Sequence, residues 1–496
     1  MLFNPNTDTI YVGNRCGSDP NCVQPPSATV INGNTLLVTA TVPICRMETY
    51  PYEDSEIDLT TNKVYFPCQG RPSQGTTGLS VTVLDGATNA TTPVAVGDYP
   101  YAAAVNSVTN QIYVPNAGDN TVSVIGGATK LQLINVTPCR LVDTRQTGGP
   151  IQGGTSRSFT LPQLGGCNIP PTAGAYSLNV TVIPTATLGY LTIWPTGVDR
   201  PVVSTMNSLD GRIKADAVTV QAGVSGAVSV YVTNTANVVL DIDAYYAPDT
   251  PSTLEFYPLT PCRVLDTRNP NGPLGGPYLQ SGQERDFPVR SGDCQIPSNA
   301  QAYSMNFTVV PYDGQPLGYL TVWPTGQSQP GVSTLNNLTA TIVANAAIVP
   351  AGTGGDISAY PSGNTQLVGD INGYFAAPGQ GGQSLYPTPP CRVLDTRQGN
   401  GAFTGELTVN VVGSACAPPS TAEAYVFNAT VVPVGPLGYL TLWPDGENQP
   451  IVSTLNAIDG AITSNMAIVP TNNGSIDAYA SGVTQLILDI YSYFAP

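Results

Sequence analysis

The residue types that usually carry chemistry are scarce in this sequence. There is no histidine, and the only lysines are Lys63, Lys130 and Lys214. That removes the commonest general base, the Ser-His and Cys-His dyads, and every histidine-containing metal site. No Gly-rich phosphate loop, G-x-S-x-G elbow or Ser-x-x-Lys motif occurs. The most charged stretch, Arg-x-x-Asp-Thr-Arg, occurs three times, with Asp143 and Arg145, Asp266 and Arg268, and Asp395 and Arg397 at its end. Asp241, Asp370 and Asp489 recur at equivalent places in apolar runs further on. A lone carboxylate there would be costly, so the pattern predicts a structural network in which Arg145, Arg268 or Arg397 neutralises it. Asp241 and Asp243 have the spacing of paired carboxylates that could cleave a glycoside. Position 243 becomes Asn372 and Tyr491 in the other repeats, so the pair does not recur.

All three tryptophans occupy one place in the repeat: Tyr190 precedes Trp194, Tyr319 precedes Trp323 and Tyr439 precedes Trp443, each by four residues. On an extended strand each pair shares a face. The pairs could form an aromatic platform for sugars; core packing backed by domain–domain contact is the favoured reading. The acidic cluster Glu53, Asp54, Glu56 and Asp58 lacks the D-x-D-x-D-G spacing of a calcium loop and reads as a solvated loop.

Ten cysteines without a C-x-x-C pair predict five disulfides and an oxidising compartment. Local pairing joins Cys16 to Cys22, Cys45 to Cys68, Cys139 to Cys167, Cys262 to Cys294 and Cys391 to Cys416. Charged residues are 10% of the 496, the net charge is −16, and Lys and Arg total 17. Nucleic acid and anionic membrane surfaces are therefore unsuited as partners. No apolar run is long enough for a transmembrane helix. The opening MLFNPNTDTIYVGN lacks the features of a signal peptide, so the true start is expected upstream.

With 51 Gly and 46 Pro, long helices are hard to place. The elements that must position the motifs are strands. TPCRLVDTR (Thr137–Arg145) returns as TPCRVLDTR (Thr260–Arg268) and PPCRVLDTR (Pro389–Arg397). Each is followed by an alternating strand (AYSLNVTVIP in the first), then LGYLT-x-WP, then Ser-Thr-x-Asn, then an apolar strand ending D-I-x-x-Y-(Y/F). Each copy shows about eight short period-two runs, the pattern of a β-sandwich or jelly roll, with an all-β barrel as the alternative. In AYSLNVTV, Tyr176, Leu178, Val180 and Val182 fall on the core face, and Ser177, Asn179 and Thr181 on a face expected to meet solvent. The expected division is 1–130, then sandwiches at 131–248, 254–377 and 384–496.

With those five motifs in fixed order, residues 131–496 resemble a repeat domain of many secreted bacterial proteins, especially from actinobacteria and acidobacteria. The resemblance implies an extracellular location and an accessory or structural role, with no catalytic residue to transfer. In the first region NPNTDTIYV, DLTTNKVYF and NSVTNQIYV align, followed by SATVINGNT, SVTVLDGAT and TVSVIGGAT. These resemble YVTN-type β-propeller blades. Three are too few to close a propeller, so the region is expected as an incomplete, propeller-like arc.

The whole is expected to be all-β: a partial propeller followed by three tandem jelly-roll-like sandwiches strung on short linkers as a semi-rigid rod. The expected function is non-enzymatic. The leading candidate is a structural subunit of an extracellular or cell-surface fibre that assembles head-to-tail with itself, the end of one chain docking into the arc of the next. The alternatives are a surface adhesin that binds glycans, or an accessory region of a secreted enzyme. No cofactor, metal or membrane insertion is expected.

Overall fold

The structure is a computed structural model that describes residues 1–496 apart from 15–25, 46–49, 52–53, 60, 71–77, 107–110, 127–129 and 400. It is all-β, and the chain divides into two compact units, Met1–Ala128 and Thr129–Pro496.

The first unit holds three small antiparallel sheets, here called blades. Blade one is Leu2–Asn4, Thr9–Asn14, Ser27–Asn32 and Val38–Pro43 in that order. In blade two, Tyr50–Pro51 and Glu56–Asp58 both pair with Lys63–Gln69, followed by Ser80–Asp85 and Thr91–Ala95. Blade three is Ala104–Asn106, Gln111–Asn116 and Thr121–Gly126. The Asn-Gly-Asn-Thr and Asp-Gly-Ala-Thr runs are Asx turns. Asn32 Oδ1 accepts from the Asn34 and Thr35 amides at 3.1 and 2.9 Å, and Asp85 Oδ1 from Ala87 and Thr88 at 3.0 and 2.9 Å. One apolar cluster joins blades one and two through Tyr11, Val30, Val64, Phe66 and Leu84. A second joins blades two and three through Tyr65, Val81, Ile112 and Val114.

In the second unit each copy is a jelly roll, of eight strands in copies one and two and seven in copy three. In copy one the inner sheet has the order Gln132–Asp143, Ala236–Ala247, Ala175–Pro184, Lys214–Gln221. The outer sheet has Thr155–Thr160, Ala227–Val232, Leu188–Pro195, Met206–Ser208. Copies two and three repeat this order, except that in copy three one long strand, Ser475–Ala495, serves both sheets. Each sandwich encloses its own apolar core.

The three sandwiches do not form a rod. They close around a pseudo-three-fold axis and share a further core. At one end, the residue just before each first strand pairs with the second residue of another copy's first strand, in a cycle: Leu131 with Leu385, Leu254 with Leu133, and Gln383 with Phe256. Two backbone hydrogen bonds of 2.7–2.9 Å close each pair. The rings of Tyr246, Phe375 and Phe494, equivalent positions in the three last strands, form a nearly equilateral triangle with centroids 6.4, 6.4 and 6.2 Å apart. Beside them Gln132 Nε2 donates to Glu255 Oε1 at 3.0 Å.

The face expected to be wet is therefore dry. Ser177, Asn179 and Thr181 are 1%, 8% and 5% exposed, because the inner sheet of each copy lies against its neighbours. The tryptophans are buried too, on the outer side of the strand whose Leu191 and Ile193 face the sandwich core. Each indole N–H donates to a carbonyl four residues on: Trp194 to Val198, Trp323 to Gln327 and Trp443 to Glu447. They are not a sugar platform.

The disulfides Cys45–Cys68, Cys139–Cys167, Cys262–Cys294 and Cys391–Cys416 are formed as expected. Cys16 and Cys22, and Glu53 of the acidic cluster, lie outside the described residues. Four disulfides fit an oxidising environment. No helix among the described residues is long and apolar enough to cross a membrane.

If the shared core stabilises all three copies at once, Phe375→Ala should cost about 3–5 kcal/mol, the usual loss for an aromatic ring in a packed interior. All tryptophans lie in the second unit, so urea unfolding followed by tryptophan fluorescence reads this unit selectively. A single cooperative transition that moves as a whole is expected. Loss of copy two's transition alone would mean that the copies fold independently.

Candidate functional site at the seams between copies

The repeated motifs converge on three seams: copy one with two, two with three, and three with one. Each begins with the first arginine of the Arg-x-x-Asp-Thr-Arg stretch. Arg140 lies directly across the ladder from Asp241, Arg263 from Asp370 and Arg392 from Asp489. Each guanidinium grips its carboxylate with two nitrogens, Nε at 2.8, 2.8 and 2.6 Å and the second at 3.0, 3.2 and 3.1 Å. The expected network is present, but the partner of the buried aspartate is this first arginine. Arg145, Arg268 and Arg397 instead bond Asp143, Asp266 and Asp395, two residues back along the chain. The reason is a bulge after Arg140 that shifts the register before Val142, repeated in the other copies.

Burial pushes the carboxyls of Asp241, Asp370 and Asp489 up, and the arginine hydrogen bonds oppose it. The bidentate geometry and part-exposed guanidiniums keep these pairs ionic. The Arg145 guanidinium holds Asp143 below the usual carboxylate range, and Arg397 does the same for Asp395.

Across each seam the asparagine of the alternating strand reaches the Ser-Thr-x-Asn loop of the next copy. Asn179 Nδ2 donates to Ser333 O at 2.6 Å, Asn306 to Ser453 O at 2.6 Å and Asn428 to Ser204 O at 2.7 Å. The Ser453 amide donates back to Asp370 Oδ2 at 3.2 Å, so this buried carboxylate serves its own arginine and the neighbouring copy together. A second asparagine completes two seams. Asn345 Nδ2 donates to Asn179 Oδ1 at 2.9 Å while its Oδ1 accepts from the Ala217 amide at 2.9 Å. Asn465 does the same between Asn306 Oδ1 and the Ala346 amide, at 2.8 and 3.0 Å.

In the third seam this position is Asp216. Its Oδ1 accepts from the Met466 amide at 3.2 Å, as the two asparagines accept from Ala217 and Ala346. Its Oδ2 then stands where they carry an amide nitrogen, towards Asn428. Both Asp216 Oδ2 and Asn428 Oδ1 are buried without a hydrogen-bond partner. Two acceptors in such places are satisfied when Asp216 carries a proton, and burial pushes its carboxyl well above the ordinary value. The groups coupled to this seam are Tyr491, whose hydroxyl lies 3.2 Å from Thr205 Oγ1, and the Asp489–Arg392 pair. Asp243 is also enclosed, in the seam between copies one and two, and burial pushes it up to about 7. The two carboxyls with the spacing of a glycosidase pair are engaged separately: Asp241 bonds Arg140, and Asp243 accepts from the Ile348 amide of copy two.

Surface clefts of about 400 and 290 Å³ lie beside two seams. One is lined by Arg263 and Arg268 of copy two with Tyr439 and Ile451 of copy three. The other is lined by Arg392 and Arg397 of copy three with Tyr190 and Val202 of copy one. Ile451 and Val202 are 87% and 92% exposed, and Gly331 takes their place at the remaining seam. The tyrosines of the aromatic strands thus reach the surface that the tryptophans do not; the third, Tyr319, is 36% exposed. Each leans on a tyrosine of the adjacent strand at 5.7–6.1 Å. Sequence reasoning missed the seam asparagines, whose only signal was their recurrence on a face read as wet.

Comparison of the chain with protein-family models and with curated proteins finds no match.

The buried carboxyls make three variants informative. Asp243 titrates near 7 folded and about 4 in an unfolded chain. Its neutral form supports the fold fully below about pH 4, and that support is lost as the pH rises through about 7. Asp243→Asn, carrying the amide that copy two has at Asn372, should raise stability at pH 8 by about 2–4 kcal/mol and change little at pH 4. Asp216→Asn should likewise stabilise at pH 8 by giving Asn428 a permanent donor; a loss there would refute the protonated assignment. Arg263→Met, which strands the buried Asp370 carboxylate, should cost about 3–5 kcal/mol at pH 7 and less in acid, where the carboxyl can protonate.

Proposed function

We propose that this chain is a non-enzymatic extracellular structural protein, a subunit of a cell-surface or extracellular fibre built from copies of itself. The observation that carries this reading is in the first unit: among the described residues, blades one and three each present exposed apolar side chains. Phe3 is 51% exposed on blade one, and Val122 and Val124 are 59% and 53% exposed on blade three. Exposed apolar faces of this kind mark association surfaces.

The second unit supports the same reading. Its recurring charged and amide residues bond one another across the seams, so they serve closure of a block stapled by three disulfides. The disulfides and the resemblance of 131–496 to a repeat domain of secreted bacterial proteins support an extracellular place. The last strand is hydrogen-bonded on both sides within copy three, to Ser384–Asp395 and to Ala424–Pro433. The expected docking of the chain's end into a neighbouring arc therefore gives way to a joint in the blades.

A second reading, binding of surface glycans, rests on the two clefts, where a tyrosine and two arginines line one hollow. Titration with neutral and acidic oligosaccharides tests it, with Tyr439→Ala as the variant that should weaken binding.

For the structural reading, full-length protein prepared under oxidising conditions should sediment as concentration-dependent oligomers and show regular particles or filaments by negative-stain microscopy. A chain that stays monomeric up to its solubility limit would overturn it.

A further inference from the structure

The blade repeat builds one interface twice and leaves its two halves open once more. Aligning the strands places Tyr11, Ala28 and Val30 of blade one with Tyr65, Val81 and Val83 of blade two and with Tyr113, Val122 and Val124 of blade three. The first set packs against blade two: Tyr11, Ala28 and Val30 are 0%, 0% and 3% exposed. The second packs against blade three: Tyr65 and Val81 are 2% and 0% exposed. In the third set Tyr113, Val122 and Val124 are 37%, 59% and 53% exposed. Cross-strand pairing of Tyr113 with Val124 puts these side chains on one face.

The receiving half repeats as well. On blade two it is Ile57, Val64, Phe66 and Leu84, and on blade three Val105, Ile112, Val114 and Ile125. The equivalents on blade one are Phe3, Ile10, Val12 and Ile31. Phe3 pairs with Ile10 and Ile10 with Ile31, so they form one row. None of the four is buried. The polar support of this face is already in place. Asn14 Nδ2 donates to Ser27 and Thr29 at 3.3 and 2.8 Å, as Asn116 Nδ2 donates to Thr121 and Ser123 at 3.0 and 2.8 Å on blade three. There Asn116 is 1% exposed.

We propose that blade three of one molecule docks through Tyr113, Val122 and Val124 onto the Phe3, Ile10, Val12 and Ile31 face of blade one in a second copy of this chain. The joint would be a third instance of the interface already made between blades one and two and between blades two and three. It rests on the structural-subunit reading and specifies its contact. A second copy is the fitting occupant because its first blade presents a face equivalent residue by residue to those the tyrosine faces already bury. The two halves differ, so the contact is heterologous. It propagates into a filament, or into a ring where the rotation closes.

The test uses full-length protein and two charge insertions, Val124→Asp on one half and Ile31→Asp on the other. Each variant alone should lose assembly in sedimentation velocity. Mixed, they should form a one-to-one complex and nothing larger, because each retains the half the other lacks. The milder V122T/V124T variant keeps strand-forming residues and should weaken assembly at least tenfold, which separates loss of the joint from loss of the blade. Assembly of Val124→Asp or Ile31→Asp at wild-type strength, or single variants that fail without pairing while V122T/V124T assembles normally, would overturn this joint and leave self-assembly to another surface. A wild-type chain that never associates would overturn both this joint and the structural reading.

Discussion

In residues 129–496 everything depends on the inner sheet of each sandwich being dry on both faces. One face packs in the sandwich and the other on the shared core where Tyr246, Phe375 and Phe494 meet. A lone sandwich would expose the second face, with its aromatic ring and small aliphatics, to water. Three sandwiches cover it by closing, and the paired residues at the start of each first strand tie the closure with main-chain hydrogen bonds. The low charge content of the chain follows, since an inner sheet buried on both sides leaves few positions where a charge meets water.

A core shared by three copies buries polar groups that need partners. The seams supply many of them with residues that donate and accept at once. Asn345 and Asn465 each give a proton to one copy and take one from another. Because all three copies lie on one polypeptide, each seam occurs once and can differ from the others, which an identical trimer would not allow. The seam from copy three to copy one shows this. It has Asp216 for the asparagine. It also has Tyr491 where the other seams have Asp243 and Asn372, and Tyr491 sits in the apolar core of copy one. The other two seams keep small hollows of about 20–30 Å³ beside Asp243 and Asn372.

The strands, their order of motifs, four of the disulfides and the burial of Asp241, Asp370 and Asp489 were legible in the sequence, because each depends on local pattern: alternation, spacing of cysteines, a carboxylate inside an apolar run. What was not legible depends on contacts between copies or on register. Ser177, Asn179 and Thr181 look like a solvent face because alternation records polarity alone: Asn179, bonded across a seam, and the enclosed hydroxyls of Ser177 and Thr181 read the same as side chains bonded to water. Arg140 and Arg145 are both within reach of Asp241 by spacing; the bulge after Arg140 chooses between them, and no residue type announces it. Trp194 and Tyr190 share a strand face by parity, yet the chain from Thr196 to Arg200 covers the indole and leaves the phenol at the surface.

The two units meet the same physical problem with opposite outcomes. A repeat that makes a half-interface on each side must either return to its start or leave two halves unmatched. The jelly rolls return: copy three meets copy one, and Asn428 reaches Ser204 as Asn179 reaches Ser333. The blades do not return within the first unit, so Tyr113 stands exposed where Tyr11 and Tyr65 are covered, and Phe3 and Ile10 lack the cover that Ile57 and Val64 receive. Exposure at both ends cannot be assigned to a polar redesign of terminal blades, since Val122 and Val124 stay as apolar as Val81 and Val83. A terminal repeat that ends in solvent is expected to carry a polar outer face. These do not, so their chemistry is that of interior repeats, and a further blade of the same kind is what fits them.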